Sequence, residues 1–261
     1  MRVTTVFASL FAMSMALNTL LSPAHADQLD DITKRGTLKV GIFEDFPPFS
    51  SAGPDMSMQG YDVDIANALA KALGVKLDLV GITGQNRIPT LLEHKVDILL
   101  SVGYSDERAK VIDFTAPYAP YYIAVLGPSN VTVNGPADLK GKSIAVNKGT
   151  LEDTSVTKAA PPGTDIQRYN DYNGVISAFL AGQVQLMAVG NDVSATILAR
   201  HPAVEPHEKF QLMSSPDHIG LNKNEPQFKQ KLDETIAAMK QDGSLNAIAV
   251  KWLHVPLPAG F

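Results

Sequence analysis

Two arginines and a glycine-threonine loop carry the first chemical suggestion in this chain. Residues 86–122, NRIPTLLEHKVDILLSVGYSDERAKVIDFTAPYAPYY, hold Arg87 at the head of a helical pattern and Arg108 in a polar loop after an apolar run. A guanidinium is a planar fork of N–H donors that matches a carboxylate, and the pairing is strong where water is kept away. Arg108 stands just past the carboxyl end of a strand-like run, where parallel α/β sheets place ligand groups. As a surface residue it would pair instead with Asp106 or Glu107. Arg87 follows Thr83-Gly84-Gln85-Asn86 at a helix start, where backbone N–H groups favour an anion; the alternative is an arginine on the outer surface. Lys148-Gly149-Thr150 opens a second helix and offers a similar anion seat. Lys148 either adds charge there or stays solvated. Phe46, beside Pro47 and Pro48 in a stiff loop, is placed to form an apolar wall or to fill a core.

Other chemistries find less support. The chain has 261 residues, a formal charge of −5 and no cysteine. An acidic balance without a basic cluster argues against nucleic acid. Without cysteine there is no disulfide, thiol nucleophile or cysteine-metal site, and a chain of this length buries a core without staples. His94, His201, His207, His218 and His254 are scattered without metal-ligand spacing. Asp62 and Asp64 are alternate carboxylates at a helix start, an ordinary first-turn arrangement. No phosphate loop or serine-nucleophile motif is present, so no cofactor, metal or catalytic residue is expected.

Residues 1–26 read as an export signal. Arg2 is the positive head, the middle is mostly apolar, and Ala24-His25-Ala26 is a peptidase site. The expected mature start is Asp27 in an exported chain, and no later stretch has the length of a membrane span.

The elements that must hold the candidate residues follow a repeating grammar. Residues 38–42 and 75–80 read as strands around an amphipathic helix at 61–73, which Gly74 ends. Ile88, Leu91 and Leu92 follow helical spacing, and residues 96–100 form an apolar strand. Residues 118–125 mix aromatic and β-branched side chains and read as one strand. The strand at 142–146, the helix from about 152 and the strand at 166–169 repeat this plan, and residues 175–190 echo the helix-then-strand order of 88–103. Two βαβ-type lobes with facing loops accommodate that echo. Residues 214–222 read as a return crossing. They are followed by a helix over 226–240 and a last helix, capped by Ser244, that carries Trp252.

The stretch Arg87-Ile88-Pro89, Lys95-Val96-Asp97, Glu107-Arg108 and Asp113-Phe114-Thr115, with Pro117-Tyr118, resembles the periplasmic polar amino-acid binding proteins of ABC importers, the type 3 extracellular solute-binding family. The likeness runs from about Leu38 to about Leu257. It implies an α/β, two-lobed periplasmic-binding-protein fold of type II, with a ligand cleft between lobes joined by two crossing strands. The implied first lobe is residues 27–118 with 219–261. The second is 119–218, with hinges near 118–122 and 214–218. The resemblance also assigns roles. Arg108 takes the ligand carboxylate and the Gly149-Thr150 loop clamps it from the other lobe. Phe46 packs on the ligand. The arginine matching Arg87 reaches a side-chain carboxylate in some acidic amino-acid binders. Ser101, Tyr104 and the Val102 carbonyl fall near the ammonium, in a loop one residue shorter than usual. The family's ammonium-binding aspartate aligns with Gly190, so Asn191 or Asp192 is expected to take that role.

This chain departs from its relatives in carrying Phe43 where many have an aspartate, which argues against a basic ligand. It has Gly84 where acidic binders can have serine. The expectation is a monomeric receptor, not an enzyme, that closes on a polar amino acid, glutamate or aspartate first, and hands it to a membrane permease. The rival is an exported cyclohexadienyl or arogenate dehydratase on the same fold, which needs a buried general acid or base.

Overall fold

Residues 27–200 and 202–261 are described by a computed structural model of the chain. The export signal read over residues 1–26, and His201, lie outside the described residues.

The first sheet grows from a staple at one buried carboxylate. α1 (Gln28–Arg35) leads into β1 (Thr37–Phe43) through Gly36 at φ 70°. Asp97, 2 % exposed, accepts from the Gln28 side chain at 3.0 Å and the Lys39 N–H at 2.8 Å, and pairs with Arg35. A buried charge is tolerated when it is paired and hydrogen-bonded, and this one ties three segments together. Two short strands, β2 (Asp45–Phe46) and β3 (Ser50–Ala52), form a small sheet with β4 (Met58–Gln59). α2 (Tyr61–Leu73) buries Ile65, Ala66, Leu69 and Ala70 and ends at Gly74 with φ 69°. β5 (Lys76–Ile82), α3 (Arg87–Leu92) and β6 (Ile98–Gly103) follow, and every residue of β6 is buried.

After the one-turn α4 (Asp106–Ala109) the chain runs through β7 (Ile112–Ala119) and β8 (Tyr122–Gly127). The single strand expected over 118–125 is broken at Pro120-Tyr121, because proline has no N–H for a ladder. β9 (Ser143–Asn147), α5 (Leu151–Ala159), β10 (Asp165–Tyr169), α6 (Tyr172–Leu180) and β11 (Leu186–Gly190) build the second unit. α7 (Asn191–Leu198) and β12 (His207–Ser214) complete it. β13 (Asp217–Asn222) returns to the first sheet, and α8 (Pro226–Gln241) and α9 (Ser244–Leu253) cover it. Ser244 is the first residue of α9, and Gly243 is its cap.

The sheets run β5-β1-β6-β13-β7 and β10-β9-β11-β8-β12. Each has three parallel strands, a fourth that runs antiparallel to them and a fifth that runs antiparallel to the fourth, so the echo between residues 88–103 and 175–190 is α3-β6 against α6-β11. The two crossings are bonded to each other: the Ser215 N–H donates to the Tyr121 carbonyl at 3.0 Å, and Asp217 pairs with Ala119. His218 packs there, its Nδ1 2.7 Å from the Thr115 carbonyl.

Candidate functional site

Residues at or just past the carboxyl ends of β1, β6 and β9 face a common cavity of about 20 Å³ between the sheets. That is about the room of one or two water molecules, well below a ligand pocket, so a ligand enters only when the two sides part. The first sheet contributes Phe46, Arg87, Ser101 and Arg108; the second contributes Thr150, Glu152 and Tyr172; the crossings contribute Tyr121, Ser215 and Asp217.

Arg87 is 3 % exposed, so the outer-surface alternative is excluded. Its Nη2 donates to the carbonyls of Leu100 at 2.6 Å and Ser101 at 2.9 Å, and its Nε has no partner. Its guanidinium carbon lies 4.8 Å from the centre of the Phe43 ring. The residue that departs from the family's aspartate therefore holds a cation of the protein itself against an aromatic face. Ser101 makes this possible at a cost. Its φ of 50° is left-handed, a conformation worth about 1–3 kcal/mol of strain in a non-glycine residue. Asp62 and Tyr118 hold it: the Ser101 hydroxyl and the Tyr118 hydroxyl each donate to Asp62 at 2.7 Å, and the Ser101 N–H reaches the Tyr118 oxygen at 2.7 Å. Burial pushes Asp62 up to about 6 despite those hydrogen bonds and Arg87. Asp64 points elsewhere, to Lys251 and the Trp252 indole, so the two carboxylates do not converge.

Arg108 is held by the loop that precedes it. Ser105 caps α4, accepting the Arg108 N–H at 3.2 Å, and Arg108 Nη1 donates to the Gly103 carbonyl at 3.0 Å. It does not turn outward to Asp106 or Glu107. Burial first, and then Arg87 beside it, pull its pKa down to about 10. Among the described residues neither arginine forms an ion pair with Asp or Glu within 4.0 Å.

Sequence reasoning missed the carboxylates. Glu152, 3 % exposed in the first turn of α5, accepts from the hydroxyls of Tyr121 at 2.8 Å and Tyr172 at 3.2 Å. Its position just after Thr150 was the available signal. Asp217, 3 % exposed, has an Oδ2 without a partner, and so has the Ser215 hydroxyl. Burial raises Asp217 well above the carboxylate range.

The two halves of the site touch. Phe46 stacks on Tyr172 with ring centres 4.4 Å apart, and Asp45 accepts the Asn173 N–H at 2.8 Å. Gly84 meets the Lys148-Gly149 backbone so closely that a Cβ on Gly84 would lie 2.4 Å from the Lys148 carbonyl oxygen. The missing serine at position 84 is thus a matter of space.

Of the sequence-predicted residues, Phe46, Arg87, Ser101, Arg108 and Thr150 line the cavity. Six others do not. Val102 lies in a core cluster with Leu91 and Ile112. Tyr104 is 50 % exposed and donates to Asp106. Lys148 is exposed, and the Gly149 N–H is taken by Asp153 at 3.1 Å. Asn191 Oδ1 accepts the Tyr122 N–H at 3.1 Å, and Asp192 faces a separate groove beside Trp252.

Comparison with known proteins agrees with this architecture. The sequence model of the bacterial extracellular solute-binding proteins, family 3, matches residues 38–255. The L-cystine-binding protein of Escherichia coli is 29 % identical over 229 residues, covering 86 % of this chain and 85 % of that one. The glutamate/aspartate import solute-binding protein of Salmonella typhimurium is 28 % identical over 250 residues, covering 91 % and 83 %. The crystal structure of an ancestral amino acid-binding protein, a precursor of cyclohexadienyl dehydratase, superposes with a TM-score of 0.81 at 28 % identity, covering 87 % of this chain and all of that one.

Proposed function

Because the chain belongs to the bacterial extracellular solute-binding proteins of family 3, we propose that it captures a polar amino acid, an acidic one before others, and delivers it to the permease of an ABC importer. It works as a monomer in the periplasm after cleavage behind Ala26. Its lobes are residues 27–118 with 219–261, and residues 119–218. Ligand binding favours the closed state because the ligand meets groups from both lobes at once.

One observation carries the acidic preference: two enclosed guanidinium groups, Arg87 and Arg108, each lack a carboxylate partner among the described residues. A buried cation without a directly bonded counter-charge is costly, and a carboxylate on the fork is the strongest relief. Two forks suit a ligand with two carboxylates. Arg108 takes the α-carboxylate and Arg87 the side-chain carboxylate, while Phe46 and Tyr172 enclose the carbon chain. The relatives are named for cystine and for glutamate/aspartate, so the family alone does not choose between ligands.

The dehydratase reading has one observation in its favour, the enclosed Glu152. Yet Glu152 Oε1 is already engaged by two tyrosine hydroxyls. The deciding experiment is calorimetry on unfolded and refolded protein against the twenty amino acids and prephenate. Saturable binding of L-glutamate or L-aspartate without turnover is expected. Binding of none of them, or consumption of prephenate, overturns the proposal.

A further inference from the structure

We propose that Asp217, with Ser215 beside it, is the acceptor for the ligand's ammonium group, so that this chain reads the ammonium from its return crossing and not from the end of β11. The inference rests on the amino-acid reading above and deepens it: the ligand must carry a free α-ammonium.

The end of β11 is closed to that role. A Cβ on Gly190 would lie 2.0 Å from a ring carbon of Tyr121, so no side chain fits there while Tyr121 keeps its place. Asn191 spends its oxygen on the Tyr122 N–H across the crossing. Asp192 looks into the groove lined by Pro47, Pro48 and Trp252. The three positions that the resemblance offers are filled, committed or turned away.

Asp192 Oδ2 also lacks a partner but lies outside the cavity lining, whereas the return crossing puts two such groups on that lining. Asp217 and Ser215 are 3 % and 4 % exposed, both line the cavity, and each has an oxygen with no partner. Buried polar atoms in a folded protein are nearly always satisfied, so two neighbouring exceptions on one cavity wall point to a donor that arrives with the ligand. An ammonium has three N–H donors and no acceptor, which is the complement of a carboxylate and a hydroxyl oxygen.

Register places this acceptor correctly. Asp217 pairs across the sheet with Gly103, and the Gly103 carbonyl is the group that holds Arg108. An α-amino acid carries its carboxylate and ammonium on one carbon, so fork and acceptor must be neighbours, as they are here. The electrostatics agree. Burial and the carboxylates of Asp62, Glu152 and Asp192 all disfavour a charge on Asp217, and the two arginines oppose them. A cation at Oδ2 relieves that burden. Glu152 is the other carboxylate in reach of the cavity, but its Oε1 is engaged by two tyrosines.

The test pairs each amino acid with its deaminated twin: L-glutamate with glutarate, and L-glutamine with glutaramate. Calorimetry is run on wild type, Asp217→Asn and Ser215→Ala. Wild type is expected to favour the amino acid over its twin by on the order of 100-fold. Asp217→Asn should lose most of that preference by weakening the amino acid, leaving the twin within about 3-fold of wild type, and Ser215→Ala should lose a smaller part. An Asp217→Asn protein that keeps the full preference overturns the inference, as does one that loses both ligands equally. Should the variants not fold, a structure of the wild-type complex decides. The ligand nitrogen within hydrogen-bond distance of Asp217 supports the assignment, and a nitrogen held only by Glu152 or backbone carbonyls overturns it. A wild type that binds no amino acid overturns the receptor reading itself, whereas one that binds with its ammonium elsewhere overturns this inference alone.

Discussion

The two sides of the cavity are built from opposite charges held by opposite means. The first-sheet side presents Arg87 and Arg108, each fixed by backbone carbonyls at the end of β6. The facing side presents Glu152, fixed by tyrosine hydroxyls, and the crossing presents Asp217, with one oxygen unsatisfied. Cations and anions share one cavity lining without pairing directly, although lobe contacts such as Phe46 on Tyr172 are already made. Direct pairs would satisfy the protein without a ligand and would favour a closed, empty state. Kept apart, the charges leave fork and acceptor free for a molecule that carries both signs.

The largest expected effect tests the cationic side. Arg108→Ala should weaken binding of any α-amino acid by about 1000-fold in calorimetry, since truncating one partner of an enclosed charge pair typically costs 2–5 kcal/mol or more. Normal binding by this variant would remove Arg108 from the site. Arg87→Ala sharpens the comparison between the two forks. It should weaken L-glutamate by about 100-fold while leaving L-glutamine within several-fold. Equal losses for both would mean that Arg87 only buttresses the Leu100 and Ser101 carbonyls.

The cationic side was legible in the sequence and the anionic side was not, for a physical reason. Arg87 and Arg108 lie at a helix start and past a strand end, positions whose geometry is local, so their orientation follows from the chain around them. The strands and α2 were legible on the same ground, by periodicity and the glycine that ends the helix. Asp217 and Glu152 are brought to the cavity through contacts made far along the chain: Asp217 through its register with Gly103, Glu152 through Tyr121 and Tyr172. Tyr104 failed in the opposite way. Its chain position near the loop was right, but Ser105 capping α4 leaves its ring outside, against Phe114.

A smaller effect concerns how the sides meet. Gly84 and Gly149 pack backbone to backbone, and a methyl on Gly84 must displace the Lys148 carbonyl. Gly84→Ala should weaken every ligand by about 10-fold through the closed state, of the order of the 1–3 kcal/mol that overpacking costs. Small-angle scattering should show a smaller ligand-induced compaction than in wild type. A ligand-selective loss would instead mean that Gly84 touches the ligand.

The smallest effect separates two aspartates that share one titration. An ordinary aspartate ionises near 3.8, whereas burial holds Asp62 and Asp192 at about 6 in the folded chain. Between those values the folded protein keeps protons that the unfolded chain has released. Their contribution to stability is therefore full below about pH 4 and is lost as the pH rises through 6. Asp62→Asn and Asp192→Asn should each flatten the melting temperature against pH between 4 and 6. Only Asp62 reaches the site, through the Ser101 hydroxyl and the strained turn that aims the Ser101 carbonyl at Arg87. Asp62→Asn should therefore also cost several-fold in amino-acid affinity, while Asp192→Asn does not weaken it. An affinity loss in Asp192→Asn would return that residue to the ligand site and reopen the end of β11 as the place where the ammonium is held.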